Sequence, residues 1–154
     1  MAEEIRGIGS KEEHARLLQD SYRRLTGKDL LPNMPDRGLT DAIDEAAFVI
    51  LSHGTEGDPV LNYGNRMAMR LWEMDRETFV RTPSRLTAEP MERGERAKFL
   101  ERVTAQGFVD DYTGIRISNT GKRFYIVEAT VWNLIDEAGA YRGQAATFSK
   151  YRYV

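Results

Sequence analysis

Lys122-Arg123-Phe124-Tyr125-Ile126-Val127-Glu128-Ala129-Thr130-Val131-Trp132-Asn133-Leu134-Ile135 runs between two turn signals, Asn119-Thr120-Gly121 and Asp136-Glu137-Ala138-Gly139. Bounded that way, and rich in β-branched and aromatic residues, it reads as one long strand. Side chains alternate along a strand. Phe124, Ile126, Glu128, Thr130, Trp132 and Leu134 therefore share one expected face, and Tyr125, Val127, Ala129, Val131 and Asn133 the other. Phe108 to Ser118 reads as the strand before it and Ala140 to Tyr151 as the strand after it, giving a three-stranded meander. In the first of these, Gly114, Arg116 and Ser118 fall on the Phe124 side, so Arg116 is expected beside Ile126 and diagonally near Glu128.

Upstream the pattern changes. Ala47 to Leu51 is a continuous apolar run, as in a central strand covered on both faces. Val60 to Tyr63 follows as a second short strand, and Asn65 caps a helix carrying Met67, Leu71 and Met74. Pro83-Ser84-Arg85 breaks the chain, and Pro90 opens a longer helix whose buried face is Phe99, Leu100 and Val103, ended by Gly107. At the N-terminus Ser10 and Glu13 form a capping box, and Leu18, Tyr22 and Leu25 recur at helical spacing up to a stop at Gly27. Lys28 to Gly38 reads as a linker, and Thr40 caps a short helix over Asp41 to Ala46. The division is residues 1–38, an amphipathic helix and linker, and residues 39–154, one α+β domain.

Composition closes off several functions. There are no cysteines, which removes disulfides, zinc–thiolate and iron–sulfur sites and thiol nucleophiles. Lys and Arg number 22 against 24 Asp and Glu, without the basic excess of a nucleic-acid protein. Arg81, Arg85, Arg93 and Arg96 cluster, but Glu89, Glu92 and Glu95 neutralise them, and Glu92/Arg96 has helix-pair spacing, so this reads as a solvated helix face. No apolar run is long enough for a membrane helix, and Met1 to Ser10 is no secretory signal. A cytoplasmic setting without membrane or nucleic-acid partner is expected.

Two strands, a helical crossover and a meander describe the PAS architecture, a five-stranded antiparallel sheet with helices on one face, here with an N-terminal helical extension. Val60 to Asn65 resembles the PAS I-x-Y-x-N strand, Thr120 to Phe124 the D-G-x-x-F hairpin, and Asp136 to Gly139 the D-x-x-G turn. The chain resembles the MEKHLA family more closely. Ser52-His53-Gly54, Asp58-Pro59, Asn62-Tyr63-Gly64-Asn65, Leu71-Trp72-Glu73-Met74, Pro83 to Glu89, Gly114 to Ser118, Ala129 to Leu134 and Gly143 to Phe148 carry that resemblance, over roughly Leu39 to Phe148. The MEKHLA resemblance implies a fold more than a function, and the PAS likeness implies a sensory role.

In such a domain the inner sheet face lines a cavity. The pocket candidates are His53, Tyr63, Arg116, Ile126, Glu128, Thr130, Trp132 and Phe148, with Arg116 and Glu128 as a pair that binds ligand or holds structure. Tyr125, Val127 and Val131 form an apolar outer face. Leu18, Tyr22 and Leu25 could cover it, on their own sheet or in a homodimer. The resemblance argues against flavin. Ser84 stands where light-sensing PAS domains need a cysteine, and Arg116, Ile126 and Ala145 replace the amides that grip the ring. Haem and other metal sites are not expected, since His14, flanked by charged residues, reads as solvated and His53 as a loop hydrogen-bonder. Ser52 next to His53 makes no triad, because strand neighbours point apart. The expected function is small-molecule sensing by a homodimer that passes its signal to a protein partner. The alternatives are a ligand-free protein–protein interaction module and a small-molecule enzyme on the same scaffold.

Overall fold

The computed structural model describes residues 4–33 and 38–154. A short hairpin, β1 (Glu4–Ile5) with β2 (Gly9–Ser10), precedes α1 (Lys11–Thr26), followed by α2 (Leu39–Asp44). Then come β3 (Val49–His53), β4 (Leu61–Gly64), α3 (Arg66–Leu71), α4 (Arg76–Phe79), a 3-10 turn at Ser84–Thr87 and α5 (Pro90–Gln106). The chain closes with β5 (Phe108–Ile117), β6 (Arg123–Ile135), β7 (Tyr141–Phe148) and β8 (Lys150–Tyr153). The main sheet is antiparallel, in the order β4-β3-β7-β6-β5, with β8 also on β6. It has six strands where five are expected. The extra strand is the expected last strand interrupted at Ser149: β7 pairs with β6 as far as Thr130↔Thr147, and β8 resumes at Val127↔Lys150.

That interruption lies opposite a second irregularity. Glu128 has φ of 51°, and β5 pairs with β6 at Gly114↔Ile126 and then Tyr112↔Ala129, so β6 holds one residue more than its partner. The Glu128 N–H donates to Thr113 Oγ1 at 3.2 Å instead of joining the ladder. A bulge reverses the alternation beyond it. Phe124 and Ile126 face α3 and α4, and Ala129 and Val131 continue on that same side, while Trp132 and Leu134 turn to the opposite layer. The single-alternation reading of β6 therefore holds up to Val127 and fails from Glu128 onward.

Helices cover both faces. α1 and α2 lie on one, where Leu18, Ile43, Ile50, Trp132 and Leu134 form a core. α1 is fastened to its own sheet. Tyr22 meets Trp132 edge-on at 4.9 Å, and Ser21 Oγ donates to Ile135 O and accepts from Ile135 N at 3.0 and 2.9 Å. Ser10 Oγ accepts the Glu13 N–H at 3.1 Å, and Gly27 closes the helix at φ 76°, as the capping signals require. α3, α4 and α5 cover the other face over Val49, Leu51, Phe124, Ile126 and Val131.

Some boundaries differ from the sequence reading. β3 extends to Ser52 and His53 because both still pair with β7, at Ala145 and Gln144. α2 begins at Leu39 behind Gly38, so Thr40 lies inside it and is not its cap. Of the linker, residues 34–37 lie outside the described residues, but Leu30 and Leu31 are buried against α1.

Candidate functional site

Between the sheet and α5 lies a cavity of about 60 Å³, space for roughly four to six water-sized atoms. Each wall is set by a local device. β3 delivers His53 at its C-terminal end, and β7 delivers Gln144 and Phe148. β5 and β6 deliver Arg116 and Ile126 from the well-paired segment before the bulge. The 3-10 turn brings Ser84, and α3 ends at Trp72. α5 closes the cavity with Arg96 and Phe99. Its C-terminal half is tied down by amide side chains: Asn133 Nδ2 donates to the Val103 and Thr104 carbonyls at 3.2 Å each, and Gln144 Nε2 to Leu100 O at 3.2 Å.

The polar groups of this cavity are mostly cationic or donors. Arg116, 7% exposed, donates to Ile115 O at 2.8 Å and to the Tyr112 hydroxyl at 3.1 Å. Its guanidinium lies 5.3 Å from the Tyr112 ring, which in turn stacks on Phe99 at 3.9 Å. Arg96 donates to Ser84 Oγ. Desolvation, and then the charge of Arg116, lower the Arg96 pKa to about 10. His53 Nδ1 bonds Gly54 O at 2.9 Å, and burial holds its pKa below the ordinary value, with the Arg96 charge acting the same way. His53 Nε2 and Trp72 Nε1 are buried without a well-formed hydrogen bond.

Of the eight pocket candidates, His53, Arg116, Ile126 and Phe148 line this cavity. Glu128 does not. Its side chain is 65% exposed and pairs with Lys150 at 3.1 Å, so the Arg116–Glu128 pair does not form. Trp132 lies under α1, and Thr130 shares its side of the sheet, because both follow the bulge. Tyr63 faces the α1 layer, 5.5 Å from the His14 ring, because it pairs with Ser52, whose side chain points to His14, and not with His53; its hydroxyl donates to Asp44. Among the outer-face residues, Val131 instead packs on Phe99 and Val103 under α5. Leu18 is buried at 1% within its own subunit, with Tyr22 and Leu25 against the same core. Tyr125 and Val127 remain half-buried outside, Tyr125 under the Arg152 guanidinium at 4.6 Å.

Sequence reasoning missed Arg96, Ser84 and Gln144 as pocket residues. For Arg96 the signal was present: it precedes Phe99, Leu100 and Val103 by three, four and seven residues, on their helix face. The Glu92 side chain, its expected partner, lies outside the described residues. His14 is likewise not solvated. It is 1% exposed, its Nε2 lies 2.9 Å from Ser52 Oγ, and Ser52 lies 2.6 Å from Asn62 Oδ1. Burial drives the His14 pKa down to about 3. Although Ser52 and His14 are at nucleophile–base distance, both are sealed in the core and Ser52 is already engaged by Asn62, so the arrangement is a polar core contact.

Among the described residues no helix is long and apolar enough to cross a membrane, and no group of three His, Asp or Glu is placed to hold a metal. Flavin does not fit the cavity. Its volume falls well below the roughly 300–1,000 Å³ of pockets for drug-sized ligands. Ser84 Oγ, the expected counterpart of the photoactive thiol, accepts a hydrogen bond from Arg96.

Known structures share this architecture. The chain is similar to the PAS domain of a protein from Colwellia psychrerythraea, at 17% identity and TM-score 0.59, over 74% of this chain and 92% of that one. It is similar to the dark structure of the blue-light photoreceptor Aureochrome1 LOV at 16% identity and TM-score 0.56, over 80% and 88%. An RNA-binding Light-Oxygen-Voltage receptor matches at 16% and 0.58, over 77% of this chain and 36% of that one. No curated protein matches the chain. With the strand order, these likenesses make the fold that of a PAS domain. More narrowly, the MEKHLA domain model matches residues 12–153, α1 included, and the chain belongs to the MEKHLA family.

Proposed function

We propose that the protein is a cytoplasmic small-molecule sensor that works as a homodimer and catalyses no reaction. The observation that carries this reading is a cavity under α5 bordered by two arginines, Arg96 and Arg116, and by Trp72, whose buried Nε1–H has no partner. Buried donors are left open at a cost unless something fills them. A ligand entering between the sheet and α5 would meet Arg96 on the helix and Arg116 on the sheet, so it could favour one spacing of the two. It shifts the domain only by binding that spacing better than the other. The half-buried outward patch of Ile115, Ile117, Tyr125 and Val127 belongs to the same two strands as Arg116 and Ile126. A second copy seated there would feel such a shift and pass it to a signalling partner.

Native mass spectrometry of gently purified protein tests both halves of this. A dimer carrying a stoichiometric small molecule is the expected result. A bare monomer at micromolar concentration would remove the sensing and the dimer together. A bare dimer would favour a ligand-free interaction module, a reading supported by how far Trp72, Ile126 and Phe148 already fill the space.

A further inference from the structure

We infer that the ligand is a small organic acid whose carboxylate sits between the Arg96 and Arg116 guanidiniums, with its short carbon body against Phe99, Ile126 and Phe148. The inference rests on the sensing reading and names the chemistry of that same site.

Charge comes first. Two guanidiniums share a largely desolvated cavity, and among the described residues neither has a carboxylate within ion-pair distance. Among the described residues their hydrogen bonds go to neutral groups: Ser84 Oγ for Arg96, and Ile115 O and the Tyr112 hydroxyl for Arg116. Like charges in such a site repel, and burial first, then the Arg116 charge, depress the Arg96 pKa. Arginine does not shed its proton near neutral pH, so the ligand-free pocket stays cationic. An anion is the species that relieves both the repulsion and the desolvation.

Shape then selects among anions. The planar guanidinium fork matches a carboxylate through two parallel N–H···O bonds. Trp72 lines the same cavity, and its buried Nε1–H has no acceptor, so a further donor is available from that residue. The remaining wall has a polar part, with His53 and Gln144, and a larger apolar part, where Leu51, Phe99, Ile126 and Phe148 offer no side-chain hydrogen bond. Phosphate carries oxygens on every side and would leave some of them unpaired against that wall. A carboxylate has one polar end and an apolar remainder. The cavity volume limits that remainder to a few carbons.

The test is a titration of the full chain, in a chloride–Tris buffer, with sodium butyrate, its neutral isostere butyramide, and inorganic phosphate, followed by calorimetry and by melting temperature. Butyrate is expected to bind at least tenfold more tightly than butyramide or phosphate and to raise the melting temperature. Arg96→Gln and Arg116→Gln are each expected to weaken butyrate at least tenfold. Without ligand, Arg96→Gln should melt no lower than the parent, because it removes one of two repelling charges; an arginine with a purely structural role would lower it. Should Arg116→Gln fail to fold, Arg96→Gln decides the matter alone. Butyramide binding as tightly as butyrate would overturn the carboxylate while leaving a sensing pocket. Phosphate binding more tightly than butyrate would overturn the organic acid. If no probe binds but native mass spectrometry retains a neutral molecule, the carboxylate fails and sensing stands. If no probe binds and the protein is bare, both fail.

Discussion

Under α1, Leu18, Ile50, Trp132 and Leu134 are each no more than 1% exposed, and the polar groups among them are neutral. His14 there contacts Ser52, and the void beside it has a volume of about 0 Å³. Across the sheet, under α5, two arginines and a histidine border open space. Unpartnered polar atoms occur on both sides: His14 Nδ1 and Trp132 Nε1 on the first, His53 Nε2 and Trp72 Nε1 on the second. An orphaned donor by itself therefore says little. What separates the faces is room and charge. The α1 layer carries its desolvation cost permanently, as the cost of a fixed register. The α5 layer carries a cost that a ligand can cancel.

Four perturbations probe that contrast. The largest effect is expected on the sealed face. Trp132→Ala should cost about 3–5 kcal/mol in denaturant unfolding, because the void it leaves cannot collapse. A loss below about 1 kcal/mol would mean that this layer is looser than described. Next is Gly143→Ala, on the rim of the pocket side. Gly143 has φ of 125°, and a Cβ there would lie 2.0 Å from the His53 carbonyl oxygen. Strain of that kind should cost about 2 kcal/mol and disturb His53, seen as a lower melting temperature and a shifted His53 resonance.

Acid separates the faces by titration. His14 is neutral in the fold, with its pKa near 3 against an ordinary 6.5. Above pH 6.5 it is neutral folded or unfolded and changes nothing. Below that only the unfolded chain takes the proton, so stability should fall by about 2 kcal/mol between pH 6.5 and 5. The fall continues until the folded-state pKa is reached, and His53, also depressed, adds in the same direction. His14→Gln should flatten most of this slope in pH-dependent unfolding; an unchanged slope would assign it to His53 and the pocket side. The smallest effect belongs to the strand joining the two regimes. Glu128→Gly should stabilise by about 0.5–1 kcal/mol, since glycine accepts φ of 51° without strain and the lost exposed pair with Lys150 is worth little. A destabilised variant would show that the Glu128 side chain holds the bulge.

The topology was legible because turn signals and apolar runs are local: Gly121 and Gly139 end strands, and Gly27 and Gly107 end helices. The shared face of Gly114, Arg116, Phe124 and Ile126 was legible for the same reason, being counted outward from a tight turn, but the register was not: Arg116 pairs with Phe124 and Gly114 with Ile126, two residues from the expected Arg116–Ile126 pairing. The face of every residue beyond Val127 was not. β6 is apolar on both sides, so its pattern carries no mark of where the alternation reverses. Arg96 and His14 were hidden differently. Each is flanked in sequence by charges that suggest solvent, and only helical spacing to Phe99 and to Leu18 shows them turned inward.

Glu128 has one more consequence. Strike it from the sequence, and β6 becomes an unbroken two-beat rhythm: Phe124, Ile126, Ala129, Val131 and Asn133 on one beat, Tyr125, Val127, Thr130, Trp132 and Leu134 on the other. These are the sides those residues occupy around the pocket and under α1. Ser149 is the matching extra beat on the neighbouring strand, since Val127 to Thr130 and Thr147 to Lys150 span the same interval. Glu128 and Ser149 thus behave as a pair of inserted syllables, one in each line of a couplet. A chain lacking both should still scan, with every other side chain of β6 where it now stands.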